Sequence, residues 1–89
     1  MPDATAAEFP EAFHTLHNTA QSMGLPIPII VDKNTSGPKN ATKWKVTIKF
    51  KGIEYHGNSG SEKSAKHDAG LKALNDHEDV LATARARNN

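Results

Sequence analysis

The chain has no cysteine. That removes a disulfide framework and most structural zinc sites, and it fits a reducing, intracellular compartment, cytoplasm or nucleus. No apolar run approaches the roughly 20 residues a membrane helix needs, so no membrane partner is expected. The start lacks the basic residues and apolar stretch of a secretory signal. Asp3, Glu8 and Glu11 stand there instead, which also argues against a basic transit peptide. There is no internal repeat. Large rings are scarce, with one tryptophan, one tyrosine and three phenylalanines in 89 residues. A chain of this length makes one domain and buries only about 60% of its unfolded surface, so its core is thin. A thin domain rarely builds a pocket, and no serine, histidine and acid recur at a spacing that suggests a triad. The expectation is a binding module with no catalytic residues, no cofactor and no small-molecule substrate.

What is present is an uneven charge. The net value is +1, which looks neutral. Residues 33–72 hold nine lysines against Glu54, Glu62 and Asp68, while the rest of the chain holds Arg85 and Arg87 against seven acids. A basic middle between acidic ends suggests a polyanion for the middle. The plainer alternative is a solvated, lysine-rich surface.

Periodicity sets the element order. Residues 1–8 carry little apolar content beyond alanine and read as a flexible lead-in. Phe9, Phe13, Leu16 and Ala20 fall on one helical stripe. Pro10 suits a first turn, and Gly24 with Pro26 forms a stop signal, so the first helix is expected over 10–23. Leu25 to Val31 is apolar but holds Pro26 and Pro28, and it reads as an edge strand from about Pro28. Residues 32–41 are turn formers throughout and read as a flexible basic loop. Trp44, Val46, Ile48 and Phe50 alternate with lysine and threonine, the clearest strand in the chain. Lys51-Gly52 can make a two-residue turn into a return strand with Ile53 and Tyr55, which Gly57-Asn58-Ser59-Gly60 ends. Ser61 is the expected cap of a second helix with Ala65, Ala69, Ala73 and Leu74 on its buried stripe. Gly70 weakens that helix by roughly 1 kcal/mol relative to alanine. Residues 79–86 either continue it or form a short extra helix, and Asn88-Asn89 are expected to be disordered. The predicted class is α+β, in the order α-β-β-β-α, with both helices on one face of a three-stranded antiparallel sheet.

At this point the chain resembles the double-stranded RNA-binding domain family, from about Phe9 to Asn75. The carrying residues are Leu16, Ala20 and Gln21 in the first helix, Gly37-Pro38 in the strand loop and Trp44. The V-x-I-x-F strand follows, then Ser61, Lys63, Ala65, Lys66, His67, Ala73, Leu74 and Asn75. The family domain is therefore expected over 9–77, with 78–89 as an extension.

The resemblance implies a partner, double-stranded RNA, read by its shape through three surfaces. Such domains span about 16 base pairs, touching two minor grooves and the phosphates between. By position, the first surface is His14, His17 and Asn18 on the exposed side of the first helix. Asn18 stands where the family usually has glutamate, yet can still bond a 2′-hydroxyl. Solvent exposure alone is the plain alternative for the two histidines. The second surface is Gly37, Pro38, Lys39 and Asn40, a bend that offers backbone carbonyls to 2′-hydroxyls. Asn40 replaces the usual histidine, and an ordinary hairpin loop is the alternative. The third is the start of the second helix, with Ser61, Lys63 and Lys66. There the helix N-terminus adds N–H groups and partial positive charge toward phosphate. Glu62 occupies a position where the family normally has lysine, which implies weaker binding than the family norm. The strand lysines Lys43, Lys45, Lys49 and Lys51, and Lys72, read as solvated surface.

Other readings fit less well. Gly57-Asn58-Ser59-Gly60 matches the G-x-x-G of the KH fold, but joins a strand to a helix here. Near Lys63-Ser64 a phosphate-binding loop would need glycine where Glu62 stands. His14 and His17 lack a third metal ligand, so no metal is expected. Two further functions remain open. One is a protein-interaction or homodimerisation module on the same fold, favoured by Asn18, Asn40 and Glu62 and by an apolar stripe of Val80, Leu81 and Ala84. The other is a substrate-delivery domain of a larger RNA-processing enzyme.

Overall fold

The computed structural model describes residues 3–87. Its elements are α1 (Ala12–Ser22), β1 (Ile29–Ser36), β2 (Lys43–Phe50), β3 (Ile53–Ser59), α2 (Glu62–Asp76) and α3 (Glu78–Arg87), with a 3-10 turn at Lys39–Ala41. The sheet is antiparallel in the order β1-β2-β3. The predicted α+β architecture is therefore present, with α3 added as a separate helix.

Alternation in β2 decides the layering. Val46, Ile48 and Phe50 are buried with Tyr55 of β3, while Lys45 and Lys49 are exposed on the other face. α2 covers β2 and β3, and α1 lies against α2. Leu16 and Ala20 of α1 join Ala65, Ala69, Ala73 and Leu74 of α2 in the same core as those strand residues. On the open face the buried Thr47 bonds through Oγ1 to Nδ1 of the exposed His56 at 2.8 Å. Lys51 and Gly52 both have positive φ, 54° and 80°, as a two-residue turn between twisted strands requires.

Two glycines set how closely the layers approach. A Cβ on Gly57 would stand 1.9 Å from the Ala65 carbonyl oxygen, and one on Gly70 would stand 2.7 Å from the Phe13 Cα. Gly57 thus lets β3 touch α2, and Gly70 lets α1 touch α2. The expectation that Gly70 only weakens its helix missed this contact.

Several boundaries differ from the sequence reading. α1 starts at Ala12, not at 10, because Pro10 still belongs to the preceding turns. Its end is as expected: Leu25 N donates to Ala20 O at 2.9 Å and Gly24 N to Gln21 O at 3.2 Å, the paired bonds of a glycine-stopped helix. β1 runs on to Ser36 through residues read as loop. β2 is long enough to pair with them, and an edge strand tolerates polar side chains on both faces. β3 continues through Gly57 to Ser59, the glycine being needed for packing and not for a turn. Residues 79–86 form α3 after a break at His77, whose φ of −126° and ψ of 91° are not helical. The lead-in has a docked part: Ala4 is 4% exposed, its N–H donates to Asn75 Oδ1 at 2.6 Å and its carbonyl accepts from Asn75 Nδ2 at 3.1 Å. The disorder expected of Asn88-Asn89 lies outside the described residues.

Candidate nucleic-acid interface

The junction of α1 and α2 organises this surface. α1 has no side-chain cap of its own, since Glu11 makes no capping bond. Instead the Phe13 N–H donates to His67 Nδ1 of α2 at 3.2 Å. The first N–H groups of a helix lack internal partners, so an imidazole from the neighbouring helix satisfies one of them. The Lys66 ammonium sits 5.4 Å from the Phe13 ring centroid, and the His14 and His67 rings meet edge-on at 5.2 Å. His14, Phe13, His67 and Lys66 thus join the exposed side of α1 to the start of α2.

Neutral His67 carries its proton on Nε2, because Nδ1 accepts from Phe13. Nε2 is buried, with no hydrogen-bond partner among the described residues. The ring's pKa is held below the ordinary 6.5, first by burial and then by the positive charge of Lys66 and the nearby His14. A metal was set aside in the sequence for want of a third ligand beside His14 and His17. The fold pairs His14 instead with Glu11 and His67, whose ligand atoms lie within 4.8 Å of one another. A metal on Nε2 would require the proton to move to Nδ1, facing the Phe13 N–H. The arrangement therefore suits a helix cap better than a coordination site.

At the start of α2, Ser61 Oγ accepts from Ser64 N at 3.2 Å. This serine caps the helix, as expected. Lys63 is exposed and Lys66 half-buried, one turn apart. Glu62, the acid that departs from the family pattern, is ion-paired to Lys33 of β1 at 2.5 Å. Lys33 lies in the stretch that reads as a loop, and a loop residue carries no local signal of this pairing.

On α1, His14 and Asn18 are exposed and His17 is half-buried. The Asn18 backbone carbonyl accepts from Arg87 Nη1 at 3.1 Å. Gly37 has φ of 87°, and a Cβ there would stand 2.9 Å from the Ala41 carbonyl oxygen. Pro38, Lys39 and Asn40 are exposed. The Pro38 carbonyl accepts from Ala41 N at 2.9 Å and Thr42 Oγ1 at 3.3 Å. The bend uses this carbonyl to hold its own shape. The loop joins β1 and β2 and has no contact with the helices among the described bonds, so the fold brings the first and third surfaces together and holds the second apart.

The stripe of Val80, Leu81 and Ala84 is not a free surface. All three are buried, and α3 packs on α1. No helix of the described residues is long and apolar enough to cross a membrane.

Two helices on one side of a three-stranded sheet, with cations at the second helix's start, define a small nucleic-acid-binding module. The model of the family described as double-stranded RNA binding motif matches residues 12–77, and the chain belongs to that family. Comparison with curated protein sequences gives no match. Among solved structures, dsRBD2 of DRB4 is 27% identical with a TM-score of 0.52, over 70% of this chain and 87% of that one. The second dsRBD of HYL1 is 26% identical with a TM-score of 0.51, over 80% of this chain and 94% of that one. The chain is a double-stranded RNA-binding module by family.

Proposed function

We propose that the chain binds double-stranded RNA by shape, through 2′-hydroxyl and phosphate contacts largely independent of base sequence, and acts as a binding module and not as an enzyme. His14, His17 and Asn18 enter one minor groove. Gly37, Pro38, Lys39 and Asn40 reach the next, through loop backbone carbonyls, the Asn40 amide and the Lys39 ammonium. Ser61, Lys63 and Lys66 face the phosphates between them. The observation that carries this reading is the bond from Phe13 N–H to His67, with Lys66 over the Phe13 ring. It fixes a groove-reading helix and a phosphate-reading helix start as one unit, and a rigid spacing is what shape recognition needs.

The test is a titration with an RNA duplex of about 20–25 base pairs and a DNA duplex of the same sequence, longer than the ~16 base pairs one domain spans. RNA should bind and DNA should bind far more weakly. Equal binding, or none, overturns the proposal. Amide shifts on RNA addition should cluster at 14–18, 37–40 and 60–67 and spare Lys45, Lys49 and Lys51.

One observation favours a second reading, a protein-interaction edge. Ile29, Ile30 and Val31 of β1, with Ile27 just before it, are 38–51% exposed, and the outer edge of β1 has no partner strand among the described residues, an edge of the kind that pairs with other chains. A dimer in light scattering that persists at high salt, with no shift of an RNA duplex, would favour it.

A further inference from the structure

The double-stranded RNA reading leaves Glu62 as an acid beside a phosphate site. The structure supplies a cation to the same place by another route. β1 pairs Ile30 with Ile48 and then Asp32 with Thr47 and Lys33 with Val46, so Val31 is an extra residue. Without that bulge the parity would run on, placing Asp32 opposite Val46 and Lys33 opposite Lys45. The bulge therefore exchanges which side chain faces the helices, a lysine in place of an aspartate. On that face Lys33 Nζ meets Glu62 Oε1 at 2.5 Å. Ile30, Lys33, Glu62, Lys63 and Lys66 line one surface groove.

We propose that Lys33 is a phosphate-contacting residue of the duplex-RNA site, delivered by the β1 bulge and positioned by Glu62. An ammonium has three donor hydrogens. One engages Glu62, and the others remain for a phosphate oxygen. The pair keeps Lys33 half-exposed at the start of α2, where it stands beside Lys63 and Lys66. The cation that the family sequence places on the helix is moved to the strand, and Glu62 holds it there.

The proposal rests on the RNA-binding reading, and the experiment separates the two. RNA duplex affinity is measured from 50 to 200 mM salt for the wild-type chain, K33A, E62Q, K33A/E62Q and K63A/K66A. If Lys33 only neutralises Glu62, K33A has no effect once Glu62 is uncharged. If it contacts phosphate, K33A/E62Q has a salt slope lower than E62Q by about one unit, so it loses about threefold less affinity over that salt range. It also binds at least a few-fold more weakly than E62Q at the lowest salt. Equal slopes and affinities for E62Q and K33A/E62Q overturn the inference while leaving RNA binding intact. No RNA binding by the wild-type chain, or no weakening in K63A/K66A, overturns the underlying reading instead. Both partners are near half exposed, and thermal melts of each variant confirm that the fold is kept.

Discussion

His67 shows how one residue ties stability to the binding surface. It is 8% exposed, and its Nδ1 lone pair is committed to the Phe13 N–H. Protonation would place a hydrogen on that same nitrogen, so the folded chain favours the neutral ring. Burial is the first cause of the lowered pKa, followed by Lys66 and His14, with Lys63 adding to it and Glu11 opposing. The unfolded chain protonates near 6.5 and the folded chain only at lower pH. Above 6.5 both states are neutral and this group makes no pH-dependent contribution. As pH falls below 6.5, the unfolded state gains the proton first and the fold loses stability, until the folded pKa is passed. Denaturant unfolding at pH 7.5 and at about 5.5 should show this loss in the wild-type chain. Gln keeps an acceptor for Phe13 and does not titrate, so H67Q should show a smaller loss. H67A should lose about 1–2 kcal/mol at pH 7.5 through the missing cap. An unchanged pH dependence in H67Q would mean that another histidine carries it. His67 was visible in the sequence as part of a family motif. Its role was not, because the donor it satisfies lies on a different helix.

At the level of elements, legibility followed how local each cause was. β2 could be read directly, since alternating Val46, Ile48 and Phe50 against lysines reports one wet and one dry face. The second half of β1 could not. Its residues are exposed on both faces, so they carry no alternation, and their strand form comes from pairing with β2. α3 had a readable apolar stripe, but Val80, Leu81 and Ala84 gave no hint that α1 would cover it. The bidentate pair of Arg85 with Glu8, at 2.7 and 3.0 Å, closes the lead-in over α3 in the same nonlocal way. Gly70 is the sharpest case. Within its own helix it is a defect, yet a side chain there would strike the α1 backbone at Phe13. Backbone cannot rotate away as a flexible side chain can, so G70A should force α1 and α2 apart. The expected cost is ~3 kcal/mol or more, at the upper end for overpacking, despite the helix propensity gained. G57A should be at least as costly, with its Cβ closer still to α2. Gly60 meets nothing within 4 Å, so G60A should leave the melting temperature nearly unchanged. Thermal unfolding of the three variants checks this, and a G70A protein as stable as G60A would show that the helices pack less closely than described.

For the molecule as a whole, the small net charge hides a separation along α2. Asp76, Glu78 and Asp79 gather at its C-terminal end, about 20 Å of helix from Lys63, while Lys33, Lys63 and Lys66 collect at its start. The bend at Gly37-Pro38 lies beyond the ends of β1 and β2, in a domain whose longest extent is 41 Å. If this bend is the far end of the RNA footprint, its contribution depends on duplex length. A duplex shorter than the ~16 base pairs of a full footprint reaches one minor groove and the phosphates but not the second groove. K39A/N40A should therefore weaken binding of a duplex of about 20 base pairs while leaving one of about 10 almost unaffected. K63A/K66A should weaken both, lowering the salt slope by about one unit for each lysine, because the phosphates those lysines face are present in either duplex. Affinity measured for two lengths and three proteins separates the surfaces without a structure of the complex. Equal weakening of both duplexes by K39A/N40A would place the bend near the centre of the footprint. No weakening of either would remove it from the interface and leave α1 and the start of α2 as a two-part site.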